Sequence, residues 1–189
     1  MEINNPIIVI SGPSGSGKST IFKHLLNTFN KLSLAVSATT RPIRGNEVDG
    51  QQYQFLTEEE FRQKIANNEL LEYEEVYPGR FYGTQISEIH RIANSGKVPL
   101  LELDVLGAIN IKKMFPDRAY LIFINPPSIT ELENRLRARG TETEENIQTR
   151  LKRAEYEISQ KDNFDTVIQN NDLEIALNDA VQIVGELVK

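Results

Sequence analysis

The sequence contains no cysteine and only two histidines. The lack of cysteine excludes disulfides, thiolate metal sites and a cysteine nucleophile, and His24 and His90 are too few for a histidine-built zinc site. No apolar run approaches the roughly 18 residues of a membrane span. The first apolar stretch, Ile7 to Ile10, follows Glu2 rather than a basic region, which argues against a signal peptide. We therefore expect a cytoplasmic protein without a membrane partner.

The charge of the chain is acidic overall, with a formal net charge of −6. Such a chain binds the nucleic-acid backbone poorly, because that binding depends on Lys and Arg, so no nucleic-acid partner is expected. The basic residues are nevertheless clustered, which favours small anions bound in a cleft. Arg41 and Arg44 form one group, and the other contains Arg135, Arg137, Arg139, Arg150, Lys152 and Arg153.

Length and pattern predict one compact α/β domain. The 189 residues, 39% hydrophobic and 25% charged, are enough to bury a core. Ile7 to Ile10 reads as a buried parallel strand, and Ser19 to Asn30 has helical spacing. Further strands are predicted at Val98–Asp104, Ala119–Asn125 and Thr166–Ile168, and a final helix at Leu173–Val188. This alternation predicts a parallel sheet flanked by helices.

Two segments interrupt that alternation. Residues 39–57 are polar, and we interpret residues 39–85 as a small inserted subdomain of short strands with one helix near Glu58 to Asn67. Residues 138–155 are dense in charge and have few large apolar residues, which suggests a mobile helical lid. The core would then comprise about residues 1–38 and 86–189.

A phosphate-binding motif follows the first predicted strand. Residues 12–19, Gly-Pro-Ser-Gly-Ser-Gly-Lys-Ser, fit the P-loop pattern G-x-x-x-x-G-K-[ST] completely. Glycines let the backbone N–H groups surround phosphate, and the following helix adds its positive N-terminal end. Lys18 is expected to reach the β- and γ-phosphates, and the Ser19 hydroxyl to ligate Mg²⁺. The predicted ATP-binding residues here are Gly12, Pro13, Ser14, Gly15, Ser16, Gly17, Lys18, Ser19 and Thr20. Alone, the motif does not separate a kinase from a GTPase or a motor ATPase.

Further residue groups occur in order along the chain. They are Ser37-Ala38-Thr39-Thr40-Arg41 with Arg44, Glu47, Asp49-Gly50 and Tyr53; Glu72 with Phe81-Tyr82-Gly83-Thr84; Leu103-Asp104 with Gly107; and Arg135-Leu136-x-x-Arg139-Gly140-Thr141 leading to Arg150-Leu151. In combination they resemble the guanylate kinase family from about Ile7 to Asp172. The resemblance implies a P-loop kinase with an inserted NMP-binding subdomain and a mobile lid, which transfers the γ-phosphoryl group of ATP to GMP or dGMP. The chain departs from the family at Leu106, where glutamine is usual.

The resemblance also implies an acceptor site whose chemistry suits these residues. Arg41 and Arg44 can bind the acceptor phosphate through bidentate hydrogen bonds. The hydroxyls of Tyr53 and Tyr82 can each donate a hydrogen bond to the same phosphate. No general base is needed, because the attacking phosphate oxygen is already an anion. The implied GMP-binding residues are Ser37, Arg41, Arg44, Glu47, Tyr53, Glu72, Tyr82, Thr84 and Asp104.

Guanine recognition is expected to rest on a carboxylate. Guanine offers two neighbouring donors, N1–H and the 2-amino group, which Glu72 can accept, while Ser37 and Thr84 can donate to O6. Adenine has an acceptor at N1, which would face a carboxylate unfavourably. Asp104 ends a predicted strand, where α/β sheets place ligand groups; in the family it helps to hold the acceptor nucleotide, and it could also act through Mg²⁺-bound water.

The remaining implied residues lie toward the ATP side. Arg135, Arg139 and Arg150 resemble lid arginines that fold over the transferring phosphoryl group, stabilise its charge and exclude water. With Lys18 and Arg41 they form the implied catalytic set. Asn170 aligns with the family's asparagine in the segment that contacts adenine.

Three other functions fit the sequence less well. A non-catalytic scaffolding module that binds peptides would not need intact Lys18, Ser19 and arginines. A kinase of the same fold could act on another phosphorylated acceptor, but Glu72 with Ser37 and Thr84 favours guanine. A GTPase lacks support because no N-K-x-D motif is present. The oligomeric state does not follow from the sequence.

Overall fold

The computed structural model describes residues 6–138 and 144–189. The strands are β1 (Ile7–Ser11), β2 (Leu32–Leu34), β3 (Ala38–Thr39), β4 (Gln54–Phe55), β5 (Leu70–Tyr77), β6 (Arg80–Gln85), β7 (Val98–Glu102), β8 (Ala119–Asn125) and β9 (Thr166–Gln169). The helices are α1 (Lys18–Thr28), α2 (Glu58–Ala66), α3 (Ile86–Asn94), α4 (Val105–Met114), α5 (Ile129–Ala138), α6 (Glu144–Ser159) and α7 (Leu173–Leu187), with one 3-10 turn at Lys161–Asn163. In these described ranges no helix combines the length and apolarity needed to span a bilayer.

A five-stranded sheet in the order β2-β7-β1-β8-β9 forms the centre of the fold. All of its pairings are parallel, as the alternation of strands and helices predicted. Because β1 lies in the middle, the segment that follows it emerges at the centre of the carboxyl edge of the sheet. Ligands of open parallel sheets bind at this edge.

The unbroken apolar run of β1 reflects burial on both faces. Ile7 and Val9 belong to a core shared with residues of α3 and α4, whereas Ile8 and Ile10 belong to a core shared with α1 and α7. Successive side chains of a strand point to opposite faces. A strand covered by helices on both sides therefore needs an apolar residue at each position.

The inserted region forms a second sheet in the order β4-β3-β6-β5. β3 is parallel to β4 and antiparallel to β6, and β6 is antiparallel to β5. The helix expected near Glu58 to Asn67 is α2, and its Phe61 stacks on Phe81 of β6 with ring centroids 5.3 Å apart. This small separate core joins α2 to β3 and β6. Both β6 and its partner strand β5 carry predicted GMP-binding residues.

The charged segment expected to be a lid has a more apolar face than the sequence analysis supposed. From residue 144 onward it forms α6, and one side of that helix is buried against α5. The buried apolar residues of this pair are Leu132, Leu136, Ile147, Leu151 and Ala154. Spacings of four and three residues along α6 place its buried residues on one face, a periodicity that the density of charge concealed. Residues 139–143, with the predicted Arg139, lie outside the described residues.

Candidate active site

The phosphate loop connects β1 to α1 at the centre of the sheet edge. Gly12, Gly15 and Gly17 have φ angles of 139°, 91° and 97°, a region that favours glycine. A side chain at Gly17 would collide with the amide nitrogen of Asn170. The path of the loop therefore depends on glycine both for its backbone angles and for its close approach to the segment after β9.

Lys18 and Ser19 lie in the first turn of α1. The Lys18 Nζ donates to the carbonyl oxygens of Gly12 and Pro13 at 2.6 and 2.9 Å, which holds the ammonium group over the loop. The Ser19 Oγ donates to Oε1 of Glu102 at 2.9 Å. Glu102 ends β7, the strand beside β1. This acid was not predicted from the sequence, although a carboxylate at the end of a strand next to the phosphate-loop strand is a usable signal.

Asn170 lies beneath the loop. It is 3% exposed, and its Nδ2 donates to the carbonyl oxygen of Ser16 at 2.7 Å. Within the described residues, the Asn170 Oδ1 and the Ser16 Oγ are buried without a hydrogen-bond partner. Asn170 therefore supports the loop directly, and its contact with adenine stays a prediction. Thr20 is exposed on α1.

Arg41 is held in place by neighbouring side chains and a backbone carbonyl. It is 6% exposed, and its Nη1 and Nη2 donate to the two carboxylate oxygens of Glu47, both at 2.6 Å. This hydrogen-bonded pairing holds the pKa of Glu47 down at about 2. A further Nη1 hydrogen bond reaches the Pro42 carbonyl, and the guanidinium lies over the Tyr53 ring, 4.9 Å from its centroid. These contacts leave Nε–H and one Nη2–H, which form a fork suited to a phosphate.

The other predicted phosphate ligands surround Arg41. The rings of Tyr53 and Tyr82 meet edge to face with centroids 5.9 Å apart. Burial raises the pKa of Tyr53, and the neighbouring Tyr82 and Glu102 add to the rise, against the effect of Arg41. The negative charge of Glu102 therefore lies near the acceptor residues as well as the phosphate loop. Arg44 is exposed, and its backbone N–H donates to Glu47 at 2.9 Å.

Glu72 is paired across the β5–β6 hairpin with Thr84, whose Oγ1 donates to Glu72 Oε1 at 2.8 Å. Burial raises the pKa of Glu72 to about 7; the Thr84 hydrogen bonds oppose the shift, and the charge of Asp104 adds to it. Thr84 is fully buried, and a hydroxyl has only one hydrogen. The expected bond from Thr84 to guanine O6 is therefore replaced in this arrangement by a bond that orients Glu72. Ser37, directly before β3, is then left as the predicted donor to O6.

Asp104 lies beside Glu72 at the start of α4. It caps this helix, with Oδ1 accepting from the Gly107 N–H at 2.7 Å. A Cβ at Gly107 would lie 3.2 Å from Glu72 Oε2 and 3.4 Å from Asp104 Oδ1, so the two carboxylates converge at this glycine. The other Asp104 oxygen lies 3.7 Å from Nη2 of Arg153.

The α5–α6 pair contacts the phosphate loop. Arg150 of α6 donates from Nη1 to the Ser14 Oγ at 2.9 Å, which brings one predicted lid arginine to the loop. Arg135 instead donates from Nε to Glu131 on its own helix, at 2.9 Å. A Cβ at Gly15 would lie within 3.7 Å of the side chains of α5. Both arginines thus belong to a unit that packs against the loop, and among the described residues Arg150 is the one that hydrogen-bonds to it.

Comparisons with known proteins decide between the kinases that could use such a site. The family model for guanylate kinase matches residues 4–187. The chain belongs to the guanylate kinase family. It is 50% identical over 182 residues to the guanylate kinase of Bacteroides fragilis, covering 96% of this chain and 89% of that protein. It is 47% identical over 182 residues to the guanylate kinase of Salinibacter ruber, covering 96% of each.

Solved structures agree with this assignment. The crystal structure of guanylate kinase from Anaplasma phagocytophilum matches with a TM-score of 0.74 and 34% identity, over 97% of this chain and 84% of that one. The structure of TT1252 from Thermus thermophilus matches with a TM-score of 0.55 and 16% identity, over 98% of this chain and all of that one, which shows the fold alone. Guanylate kinases are enzymes that transfer a phosphoryl group from ATP to GMP, so the predicted family, enzyme class and parallel α/β fold are confirmed.

Three further charged residues lie near the site of this guanylate kinase family member. None was assigned to it from the sequence, although Arg153 belongs to the second basic cluster. Glu74 shares a face of β5 with Glu72, because strand side chains repeat every two residues. Arg153 and Glu157 lie one turn apart on α6 and are joined by a 2.9 Å hydrogen bond. The spacing from Glu72 to Glu74 was a signal available in the sequence, whereas the approach of α6 was not.

Proposed function

We propose that this chain phosphorylates GMP or dGMP with ATP, giving ADP and GDP or dGDP. The supporting observation is that one carboxylate, Glu102, lies near both the phosphate loop and the acceptor residues. This residue accepts a hydrogen bond from Ser19 of the loop and adds to the raised pKa of Tyr53 on the acceptor side. A kinase of two nucleotides needs this arrangement, since its main task is to align two polyanions.

On the acceptor side, Arg41 would bind the GMP phosphate with the fork that its bonds to Glu47 leave available. Arg44, Tyr53 and Tyr82 would add donors around the same phosphate. Because the attacking oxygen is anionic, these residues act by positioning and by offsetting charge rather than by removing a proton.

The base would be read by Glu72, which Thr84 holds in place. Its carboxylate would accept from guanine N1–H and the 2-amino group, and Ser37 would donate to O6. Asp104, which converges with Glu72 at Gly107, would lie at the edge of the same site and hold the nucleotide.

On the donor side, Lys18 would bind the β- and γ-phosphates, and Arg135, Arg139 and Arg150 would close over the transferring group. The hydroxyl of Ser19 and the carboxylate of Glu102 are oxygen ligands 2.9 Å apart, a donor set that suits Mg²⁺ with part of its water shell. Ser19 and Glu102 would help to hold the ion, and a bound ion would neutralise phosphate charge. We further propose a cytoplasmic location, where ATP and GMP are both present.

A coupled assay of ADP formation tests the function. Turnover with ATP and GMP should exceed turnover with AMP, UMP or dTMP by orders of magnitude. Lys18→Ala should stay folded and lose most of this activity, because a cation at the transferring phosphoryl group is removed. A preference for another acceptor would refute the GMP assignment, and near-normal turnover of Lys18→Ala would refute the role of the loop.

A further inference from the structure

A charged contact outside the residues assigned so far joins α6 to the GMP side of the site. The Arg153 Nη2 lies 3.3 Å from both carboxylate oxygens of Glu74 on β5 and 3.7 Å from Oδ2 of Asp104. Its Nε donates to Oε1 of Glu157 at 2.9 Å. One guanidinium therefore contacts carboxylates from α6, from β5 and from the start of α4.

The carboxylates that Arg153 contacts lie in a crowded group of like charge. The neighbouring Asp104, together with burial, raises the pKa of Glu74 to about 7, and Arg153 opposes this rise. Burial raises the pKa of Glu72, and the charge of Asp104 adds to that rise. Neighbouring like charges repel one another in a partly buried site. Arg153 thus supplies positive charge to the carboxylates where guanine is expected to bind.

The position of Arg153 on α6 links this cluster to the donor side. Arg150 lies three residues earlier, and residues three apart on a helix are neighbours on its surface. Arg150 contacts Ser14 of the phosphate loop, whereas Arg153 contacts Glu74 and Asp104. One turn of α6 therefore presents an arginine to each of the two substrate sites.

We propose that Arg153 is a positioning residue of the GMP site. It holds Glu74 and Asp104 in place from α6, and it offsets the charge of the carboxylates around the base so that a nucleotide dianion can enter. The inference rests on the proposed GMP kinase function. It assigns a role in acceptor binding to a residue that none of the phosphate-binding motifs contains.

The test compares Arg153→Gln with wild type in steady-state kinetics. The KM for GMP should rise about tenfold, within the range of measured coupling between charged neighbours, while the KM for ATP stays within twofold. Arg153→Lys, which keeps the charge, should recover part of the loss. Adding Glu74→Gln to Arg153→Gln should also recover part of it, because the excess negative charge is then reduced. Lys152→Gln, an exposed neighbour with the same charge change, is the matched control.

Several results would overturn the inference. They are an unchanged KM for GMP in Arg153→Gln, equal rises for GMP and ATP, an equal effect of Lys152→Gln, or no recovery on adding Glu74→Gln. Should Arg153→Gln melt below the assay temperature, Arg153→Met repeats the test with the apolar stem retained. Failure of the wild type to phosphorylate GMP would refute the proposed function itself, whereas normal wild-type turnover with an unaffected Arg153→Gln would refute only this inference.

Discussion

The most discriminating prediction concerns Glu72, through the substitution Glu72→Gln. Glutamine has nearly the same shape, and its amide oxygen can still accept the hydrogen bond from Thr84 that the structure shows at 2.8 Å. The amide NH₂ would then replace Oε2, the oxygen that lies toward Gly107 and Asp104. Packing is kept, but a donor replaces an acceptor where guanine is expected to present its own donors.

The expected loss follows from the hydrogen bonds. A hydrogen bond to a charged group contributes about 1.5–3 kcal/mol, and Glu72 would accept two from guanine. Losing about 3 kcal/mol corresponds to a fall of roughly 150-fold in kcat/KM for GMP, at about 1.4 kcal/mol per factor of ten. AMP has an acceptor at N1 and no 2-amino group, so its efficiency should change by less than about threefold. IMP keeps N1–H alone and should lie between the two.

The same residue gives a pH dependence. The folded-state pKa of about 7 lies above the ordinary value, so the folded protein keeps a proton that the unfolded chain releases between about pH 4.5 and 7. The free energy of unfolding should therefore fall as pH rises through that range, and Glu72→Gln should remove this contribution. GMP needs the carboxylate, so its affinity should weaken about tenfold from pH 8 to pH 6. The same pH change measured with AMP, or with GMP in Glu72→Gln, gives the separate effect of titrating the substrate phosphate.

The assay measures kcat/KM for GMP, IMP and AMP at pH 8 and pH 6, in wild type, Glu72→Gln and the exposed α2 control Glu59→Gln. The control should behave as wild type. If Glu72→Gln keeps the full preference for GMP over AMP, guanine is not read by this carboxylate, and the base site would have to be sought elsewhere on the second sheet.

Two further predictions test the support of the site. Glu47→Gln removes the charge that orients Arg41, so the KM values for GMP, IMP and AMP should all rise about tenfold; a rise for GMP alone in the same kinetic assay would place Glu47 at the base rather than behind the phosphate site. Gly17→Ala would force a side chain into Asn170 at a φ of 97°, so thermal melting should show a loss of about 2 kcal/mol or more with a raised KM for ATP. An unchanged melting temperature would show that the loop tolerates a Cβ there.

The phosphate loop was predictable because its determinants are local. Glycines with positive φ, a lysine and a serine at fixed spacing, and a preceding buried strand all lie within a short stretch of sequence. The partners of these residues were not predictable in the same way. Ser19 binds Glu102, which is 83 residues away in sequence, and Glu74 lies beside Arg153, 79 residues away. Such pairs depend on how whole elements pack.

The role of Thr84 shows a second limit. The sequence identified a hydroxyl and a carboxylate suited to guanine, but not that they bond to each other. That bond depends on the register of β5 against β6, where Glu72 pairs with Thr84 after a shift next to Leu70. A slip of one residue would turn the side chains of a strand to the other face. Hairpin register with an irregularity of this kind cannot be read from residue types alone.

The arrangement of charge explains how an acidic protein can bind two polyanions. Two arginines of the site form ion pairs with carboxylates: Arg41 with Glu47, and Arg153 with Glu74 and Asp104. Each pairing fixes the rotamer of a long side chain during folding. Without it, the lost rotamer freedom would oppose binding by about 2 kcal/mol for a flexible side chain. In Arg41 it also leaves a defined pair of N–H groups facing outward. The acids of this protein therefore contribute to phosphate binding indirectly, by fixing the direction in which positive charge is presented.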